Sequence, residues 1–302
     1  MLAINKKHGI VAIVGSPNAG KSTLTNALSG CKLAIVSPKV QTTRTALKAI
    51  ISESDRQLII IDTPGIFIPR ANKILERVIA KTAWQSLREA DHICLVIDST
   101  IGVNNENKQI INDLKKEHLP ITVILNKIDL VKKSDLLAII ANLQQLDFNT
   151  IFTISATQND GIDTLKTFLL QQCNHPDFIY NDGEITTAPH RFLASEITRE
   201  KLFLNLNQEL PYHLTVLTDS YSKLADNSIK IHQTILISKN SQKTIILGKN
   251  GSMIKQISQS SREEISKLIG SKVHLFLFIK VKENWMQNIE NFENFPISKL
   301  PK

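Results

Sequence analysis

Hydrophobic positions along the first 173 residues fall into two alternating patterns. Short runs rich in β-branched residues, Ile10–Val14, Leu58–Ile61, Ile93–Ile97, Ile121–Leu125 and Ile151–Ile154, have the length and composition of buried strands. Between them, apolar residues recur at helical spacing over Ser22–Leu28, Asn72–Leu87, Asn107–Lys116, Leu136–Leu146 and Ile162–Leu170. Strand and helix alternating in this way predict an α/β fold on a doubly wound, mostly parallel sheet.

The pattern then breaks. Asn174-His175-Pro176-Asp177 and the polar stretch Asn181–Pro189 contain no lysine or arginine and read as a linker. Beyond it the order becomes a helix (Arg191–Leu206), two strands (Leu214–Leu217 and Ile229–Ile237), a helical pair around Gly248–Gly251 and a last strand, Val273–Val281. Nearly every position of that last strand is apolar, which predicts cover on one face and partial cover on the other. The expected organisation is a first domain over residues 1–173, a linker over 174–189, and an α+β domain with a C-terminal tail over 190–302.

Composition narrows the class without naming a chemistry. The 302 residues are 42% hydrophobic and 21% charged, as in ordinary soluble proteins. Cys31, Cys94 and Cys173 stand singly among apolar residues, so neither a disulfide framework nor a zinc site is expected, and a reducing cytosol fits. Lys6 and Lys7 precede an apolar run too short for a signal peptide, and no segment has the length of a membrane span. The net charge is +8, and residues 190–302 hold 16 basic against 10 acidic side chains. That excess suits a polyanionic partner or simply a lysine-rich solvated surface.

The first chemical signal follows the first strand. Gly15-Ser16-Pro17-Asn18-Ala19-Gly20-Lys21-Ser22, continuing into Thr23, stands between a strand and a helix, the context a phosphate loop requires. Its glycines let backbone amides turn inward around phosphates, and the helix N-terminus adds its dipole. Lys21 would reach the β- and γ-phosphates, and the Ser22 hydroxyl would bind Mg²⁺.

Three further elements select the nucleotide. Asp62-Thr63-Pro64-Gly65 follows a strand, where Asp62 can hold magnesium through water and Gly65 can offer its amide to the γ-phosphate. Asn126-Lys127-Ile128-Asp129 ends another strand. The Asp129 carboxylate can accept two parallel hydrogen bonds from the ring N–H and amino group of guanine, whereas adenine presents a mismatched edge. Ser155-Ala156 supplies a backbone amide for the base carbonyl. Every element lies just beyond the carboxyl end of a strand, where open α/β sheets bind ligands, so GTP and GDP are the expected ligands.

Residues 10–173 resemble a GTPase of the translation-factor class. Gln41-Thr42-Thr43-Arg44 resembles its first switch, in which a threonine closes on Mg²⁺ and the γ-phosphate, and register with related switches favours Thr43 over Thr42. Many small GTPases place a water-orienting glutamine after the Asp-x-x-Gly element. Here Ile66 stands there, and unassisted hydrolysis should be slow. Similar GTPases use an asparagine at the position of Asn18 to hold K⁺ in place of an arginine finger, so K⁺ stimulation is an expectation beside the simpler reading that Asn18 shapes the loop. Asn18, Lys21, Thr43 and Gly65 form the expected catalytic set, and Ser22, Thr43 and Asp62 the expected magnesium ligands.

In the second domain Gly248-Lys249-Asn250-Gly251 joins two helical stretches. A Gly-x-x-Gly alone is commonly just a turn. Here Met253, Ile254, Ile257, Ile265, Leu268 and Ile269 follow at helical spacing, and the element order matches the type II KH fold, whose turn lies on the sugar-phosphate backbone of single-stranded RNA. His190-Arg191-Phe192-Leu193-Ala194-Ser195-Glu196-Ile197-Thr198-Arg199-Glu200-Lys201 and Glu209-Leu210-Pro211-Tyr212 resemble the start of the C-terminal domain of the Era family of bacterial GTPases. That resemblance spans nearly the whole chain. It implies a monomeric cytoplasmic switch that binds the 3′ end of small-subunit ribosomal RNA on the pre-ribosomal small subunit, with nucleotide state controlling access to RNA.

Peripheral association with the inner membrane is also implied by the family, although no sequence feature carries it. The terminal segment Trp285–Pro301 is expected to pack on the KH domain. With aromatic residues at only 5%, aliphatic groove contacts rather than aromatic stacking platforms are expected to hold bases. The eight histidines lack ligand spacing, and Asn159-Asp160-Gly161 reads as a turn and helix cap. An RNA-modifying GTPase would need a further catalytic domain, for which no cysteine nucleophile or cofactor motif is present. A non-enzymatic RNA scaffold is the other alternative, separated by GTP turnover.

Overall fold

The computed structural model describes residues 5–37, 39, 42–66, 74–206, 210–283 and 285–287. Gln41, Asn72 and Glu209, which belong to expected elements, lie outside them, as does nearly all of the terminal segment after Trp285. By packing, the chain forms two units. One comprises residues 1–34, 43–72 and 76–187, and the other 35–42, 73–75 and 188–302.

The first unit is built on a seven-stranded sheet whose main path runs β2 (Leu47–Glu53), β3 (Arg56–Asp62), β1 (Lys7–Val14), β4 (His92–Asp98), β5 (Ile121–Asn126) and β6 (Ile151–Thr153). β3, β1, β4, β5 and β6 pair in parallel, and β2 joins the edge antiparallel to β3. The central strands are buried along their length, as parallel strands covered by helices must be. On one face, Ala12, Val14, Leu95, Ile97, Val123 and Leu125 pack with Ala83, Leu87, Ile110, Ile111, Leu114 and Leu143. Those partners come from α2 (Ile74–Leu87), α3 (Asn105–Lys115) and α4 (Lys133–Gln145), while α1 (Lys21–Ser29) and α5 (Ile162–Gln171) complete the helices.

Two features depart from the sequence expectation. β2 adds an antiparallel edge, and the stretch that reads as a linker is fastened to the first unit. β7 (His175–Pro176) pairs with Lys7 and His8 of β1. The side-chain oxygen of the buried Gln57 accepts the amides of Ile179 and Tyr180 at 3.0 and 2.9 Å, and its Nε2 donates to the Tyr180 carbonyl at 2.9 Å. A buried amide with both ends satisfied favours this one path, because leaving it unpaired would cost about 1–3 kcal/mol.

The second unit contains α6 (His190–Asn205), a three-stranded sheet in the order β10 (Val273–Val281), β9 (Ile229–Ile237), β8 (Leu214–Lys223), and the helices α7 (Asn240–Leu247) and α8 (Ser252–Ile269). β8 is longer than its apolar start predicted, because Thr218–Lys223 continues the ladder past a bulge. One sheet face carries the core. There, Leu277, Ile279 and Ile235 pack with Leu202 and Phe203 of α6, Ile246 of α7 and Ile257 of α8. The diagnostic α6 stretch is also pinned by polar contacts, since Thr198 Oγ1 donates to Gln233 Oε1 at 2.7 Å and Arg191 donates to the Thr218 carbonyl at 2.7 Å. Trp285 is fully buried and donates its indole N–H to the His213 carbonyl, so the start of the terminal segment packs on this unit as expected. The other face of the sheet is partly covered, as expected of the last strand: Leu236 and Thr215 are buried there, while Phe276, Phe278 and Lys280 are exposed.

Candidate nucleotide site and RNA-facing turn

The nucleotide elements converge because the parallel register brings strand ends level. Ile13 of β1 pairs with Asp62 of β3, and Asp98 of β4 with Asn126 of β5. The loops that leave these ends meet over the start of α1. Gly15 turns at φ +148°, where a Cβ would come within 2.3 Å of the Val96 carbonyl oxygen. The loop folds only with glycine at that position.

Lys21 is buried and donates its ammonium to the carbonyls of Gly15 and Ser16 at 3.1 and 2.8 Å. Burial lowers its pKa to about 8, opposed by the charge of Asp62. Asp62 is fully buried, and desolvation raises its carboxyl to about 6 against the Ser22 hydrogen bond and the charge of Lys21. Ser22 Oγ donates to Asp62 Oδ2 at 2.8 Å and lies 2.7 Å from Thr43 Oγ1. Asp62 Oδ1 is buried with no hydrogen-bond partner among the described residues. Three hard oxygen donors with one carboxylate oxygen left over match what Mg²⁺ requires.

Of the two switch threonines, Thr43 is the one that reaches this cluster. Thr42 instead bonds Ser37 Oγ at 2.8 Å and the Lys39 carbonyl at 2.6 Å. Gly65 packs so closely on the phosphate loop that a Cβ there would lie 3.0 Å from the Pro17 nitrogen. Thr63 is anchored to the Ile13 carbonyl, Pro64 is buried, and the Ile66 side chain points into the sheet-helix core. A side chain turned into the core cannot orient water at a phosphate. Asn18 is exposed at the tip of the loop with φ +63°, and Thr23 follows Ser22 on the first turn of α1.

At the base end, Asn126 is the centre of the construction. Its Nδ2 donates to the Ala19 carbonyl at 3.0 Å, and its Oδ1 accepts the amides of Lys127 at 2.9 Å and Ala156 at 3.1 Å. One side chain thereby ties the phosphate loop, the Asn-Lys-x-Asp loop and Ser155-Ala156 together. Lys127, in the left-handed region at φ +65°, directs its ammonium to Asp98. Sequence reasoning did not single out Asp98, although an acid at the end of a central strand was the available signal. Asp129 stands exposed in the short turn Ile128–Leu130, available to a base. The Asn159-Asp160-Gly161 stretch is a turn whose Gly161 caps α5 and which pairs with Ser155.

In the second unit the Gly248–Gly251 turn separates α7 from α8. A Cβ on Gly248, at φ +69°, would lie 2.7 Å from the Met253 Cβ, whereas Gly251 has open space around it. Lys249 and Asn250 are exposed at the tip, and the turn leads into the N-terminus of the 18-residue α8. Half-buried Met253 and Ile254 provide an aliphatic margin beside it. Free amides at a helix start next to a lysine suit a phosphate backbone.

The fold and the site together define a phosphate-loop GTPase joined to a KH-type domain. A family model described as "50S ribosome-binding GTPase" matches residues 10–127, and one described as "KH domain" matches residues 209–286. Proteins named GTPase Era from Bradyrhizobium diazoefficiens, Ehrlichia ruminantium and Rickettsia bellii are each 44% identical to this chain, over 92%, 95% and 95% of it and 90%, 96% and 97% of their own lengths. The chain belongs to the Era family of GTPases. Among solved structures, Era in complex with MgGDPNP and nucleotides 1506–1542 of 16S ribosomal RNA is similar, with a TM-score of 0.92 and 33% identity over 96% of this chain and 99% of that one. A single-substitution variant of Aquifex aeolicus Era bound to GDP·AlF4⁻ matches equally well, with the same TM-score, identity and shares of both chains. The chain is thus a GTP-binding, GTP-hydrolysing enzyme.

Proposed function

We propose that this GTPase is a switch that binds the 3′ end of small-subunit ribosomal RNA and assists assembly of the small ribosomal subunit. Its domains are residues 1–173 and 190–302 with the intervening stretch as connector, and it acts as a monomer in the cytosol, any contact with the inner membrane being peripheral. The observation that carries the reading is that the Ser22–Asp62 pair and the Asn126-tied loops occur in one chain with an exposed Lys249-Asn250 turn. The solved relative bound to a 16S ribosomal RNA fragment supports the choice of RNA.

In this reading Gly15–Thr23 cradle the phosphates, Lys21 neutralises the β- and γ-phosphates, Gly65 donates its amide to the γ-phosphate, and Asp129 reads the base. Lys21 already points its ammonium at loop carbonyls, so phosphate oxygens exchange for those contacts. Ser22, Thr43 and Asp62 would hold Mg²⁺, which supplies charge neutralisation at the transferred phosphate. Ile66, turned into the core, orients no water, and in this reading Asn18 at the exposed loop tip holds K⁺ in place of an arginine finger.

GTP turnover by the whole chain, measured in K⁺ and in Na⁺ with and without single-stranded ribosomal RNA, tests both halves. Faster turnover in K⁺, lost in Asn18→Ala, is expected. Equal rates in the two salts would remove the cation proposal. RNA retention that ignores both the turn and the bound nucleotide would remove the switch.

A further inference from the structure

Aromatic residues are scarce in this chain, yet three rings meet on the partly covered face of the second unit's sheet. The parallel register sets Phe276 of β10 beside His232 of β9. The His232 ring stacks on Phe276 with centroids 4.9 Å apart and planes 16° apart, and on Phe278 at 5.9 Å and 7°. Leu275, Leu277 and Ile279, which alternate with them, point into the core beneath. Phe276 and Phe278 remain 44% and 54% exposed, so among the described residues no element covers the outer side of these rings.

The surroundings of these rings are cationic. The Lys230 ammonium lies 5.7 Å from the Phe276 centroid, and the exposed Lys280 follows Phe278 on the same face. Along β8 the neighbours are Ser220 and Ser222, paired with His232 and Lys230. The nearby acid, Asp219, is engaged by the Thr234 hydroxyl at 2.7 Å. Near-parallel rings flanked by lysines and serines complement a ligand with flat faces and a negative backbone. An unpaired nucleic-acid strand has both. The aliphatic residues that register places on this face beside Thr234 and Lys280, Leu217 and Leu236, are half-buried and buried.

We propose that this sheet face is a second contact for single-stranded RNA, with unpaired bases stacking on Phe276 and Phe278 and phosphates lying near Lys230 and Lys280. It stands apart from the Gly248–Gly251 turn, which joins two helices packed on the opposite face of the sheet. The proposal rests on the RNA-binding reading above and adds a surface to it. If it holds, the expectation drawn from aromatic content alone gives way, because position in the sheet matters more than abundance.

The test uses the full-length chain and an unstructured single-stranded RNA in which 2-aminopurine, whose fluorescence is quenched by stacking, replaces several adenines. Phe276→Ala/Phe278→Ala should weaken binding by about tenfold or more and remove most of the quenching that binding produces. Phe276→Leu/Phe278→Leu, which keeps the apolar surface, should fall as far, while Phe276→Tyr/Phe278→Tyr should bind as wild type. GTP turnover without RNA should be unchanged in all three. RNA affinity of the alanine variant within about twofold of wild type overturns the proposal. So does full rescue by leucine, which indicates an apolar docking face. Unaltered RNA affinity with lost co-sedimentation on small ribosomal subunits overturns it too, in favour of a protein partner. Lys249→Asp/Asn250→Asp, assayed alongside, separates the two readings. If that variant loses RNA while the alanine variant does not, only the sheet-face proposal falls. If neither variant loses RNA, the RNA-binding reading falls with it.

Discussion

The nucleotide site and the Gly248–Gly251 turn present their groups in opposite ways. Around the phosphate loop the groups are buried and tied to one another: Lys21 and Asp62 are sequestered, and Asn126 alone spans three loops. At the Gly248–Gly251 turn Lys249 and Asn250 stand in solvent, and the shape comes from left-handed backbone at Gly248, Asn250 and Gly251. A small ligand can enter an enclosed site and be read by inserted side chains, each strengthened by the low local dielectric. A polymer cannot be enclosed in that way, so it is met by an exposed edge whose affinity is electrostatic and divided over several contacts. Single substitutions should therefore be severe and specific in the first region, and milder and dependent on salt in the second.

The sharpest break in that comparison comes from Asp129→Asn. A carboxylate that pairs with two donors cannot be replaced by an amide without leaving one donor facing another, so the preference for GTP over the xanthine nucleotide should fall by about a thousandfold, read by competition binding. An unchanged preference would overturn the role given to Asp129. Next, Lys21→Ala removes a buried charge that meets phosphate, and GTP affinity should drop about a hundredfold, from roughly 3 kcal/mol, when titrated calorimetrically. Lys249→Asp/Asn250→Asp should weaken single-stranded RNA by about tenfold or more while leaving GTP affinity unchanged, with a shallower dependence on salt. A loss of GTP affinity in that variant would mean the two regions are not independent.

The smallest effect is a reactivity contrast. Burial pushes the Cys94 thiol far up and the Cys173 thiol to about 11, whereas Cys31 is partly exposed. Near pH 8 a thiol reagent should label the folded chain at Cys31 alone, because the thiolate is the reacting form. Rapid labelling at Cys94 would show that the sheet opens.

Much of the first unit was legible because its signals are local. A buried parallel strand announces itself as a β-branched run, and each nucleotide element sits at the end of one, although the sheet order β3-β1-β4-β5-β6 puts the second motif outside the first. β2 was missed because an antiparallel edge strand owes its existence to pairing with β3 rather than to its own pattern. The attachment of Ile179 and Tyr180 to Gln57 was illegible for a related reason, since the partners are more than 120 residues apart in sequence. In the second unit the Gly-x-x-Gly turn was readable, but the ring stack was not. His232 and Phe276 become neighbours only through the register of two strands, and local periodicity carries no information about register between distant strands.

Asn126 carries a consequence for anyone wishing to change what this enzyme binds. The residue looks like part of the base-reading signature, and a redesign aimed at a different base would naturally include it. Its amide nitrogen is also committed to the phosphate loop, and a Cβ added at Gly20 would come within 2.2 Å of that nitrogen. Substituting it loosens the phosphate cradle and the base pocket together, so a variant with altered selectivity could not be told from a damaged one. Asp129, exposed and outside that fastening, is the position where preference can be rewritten while the scaffold stays intact. The site thus divides into a dial and a rivet, and the signature motif holds one of each.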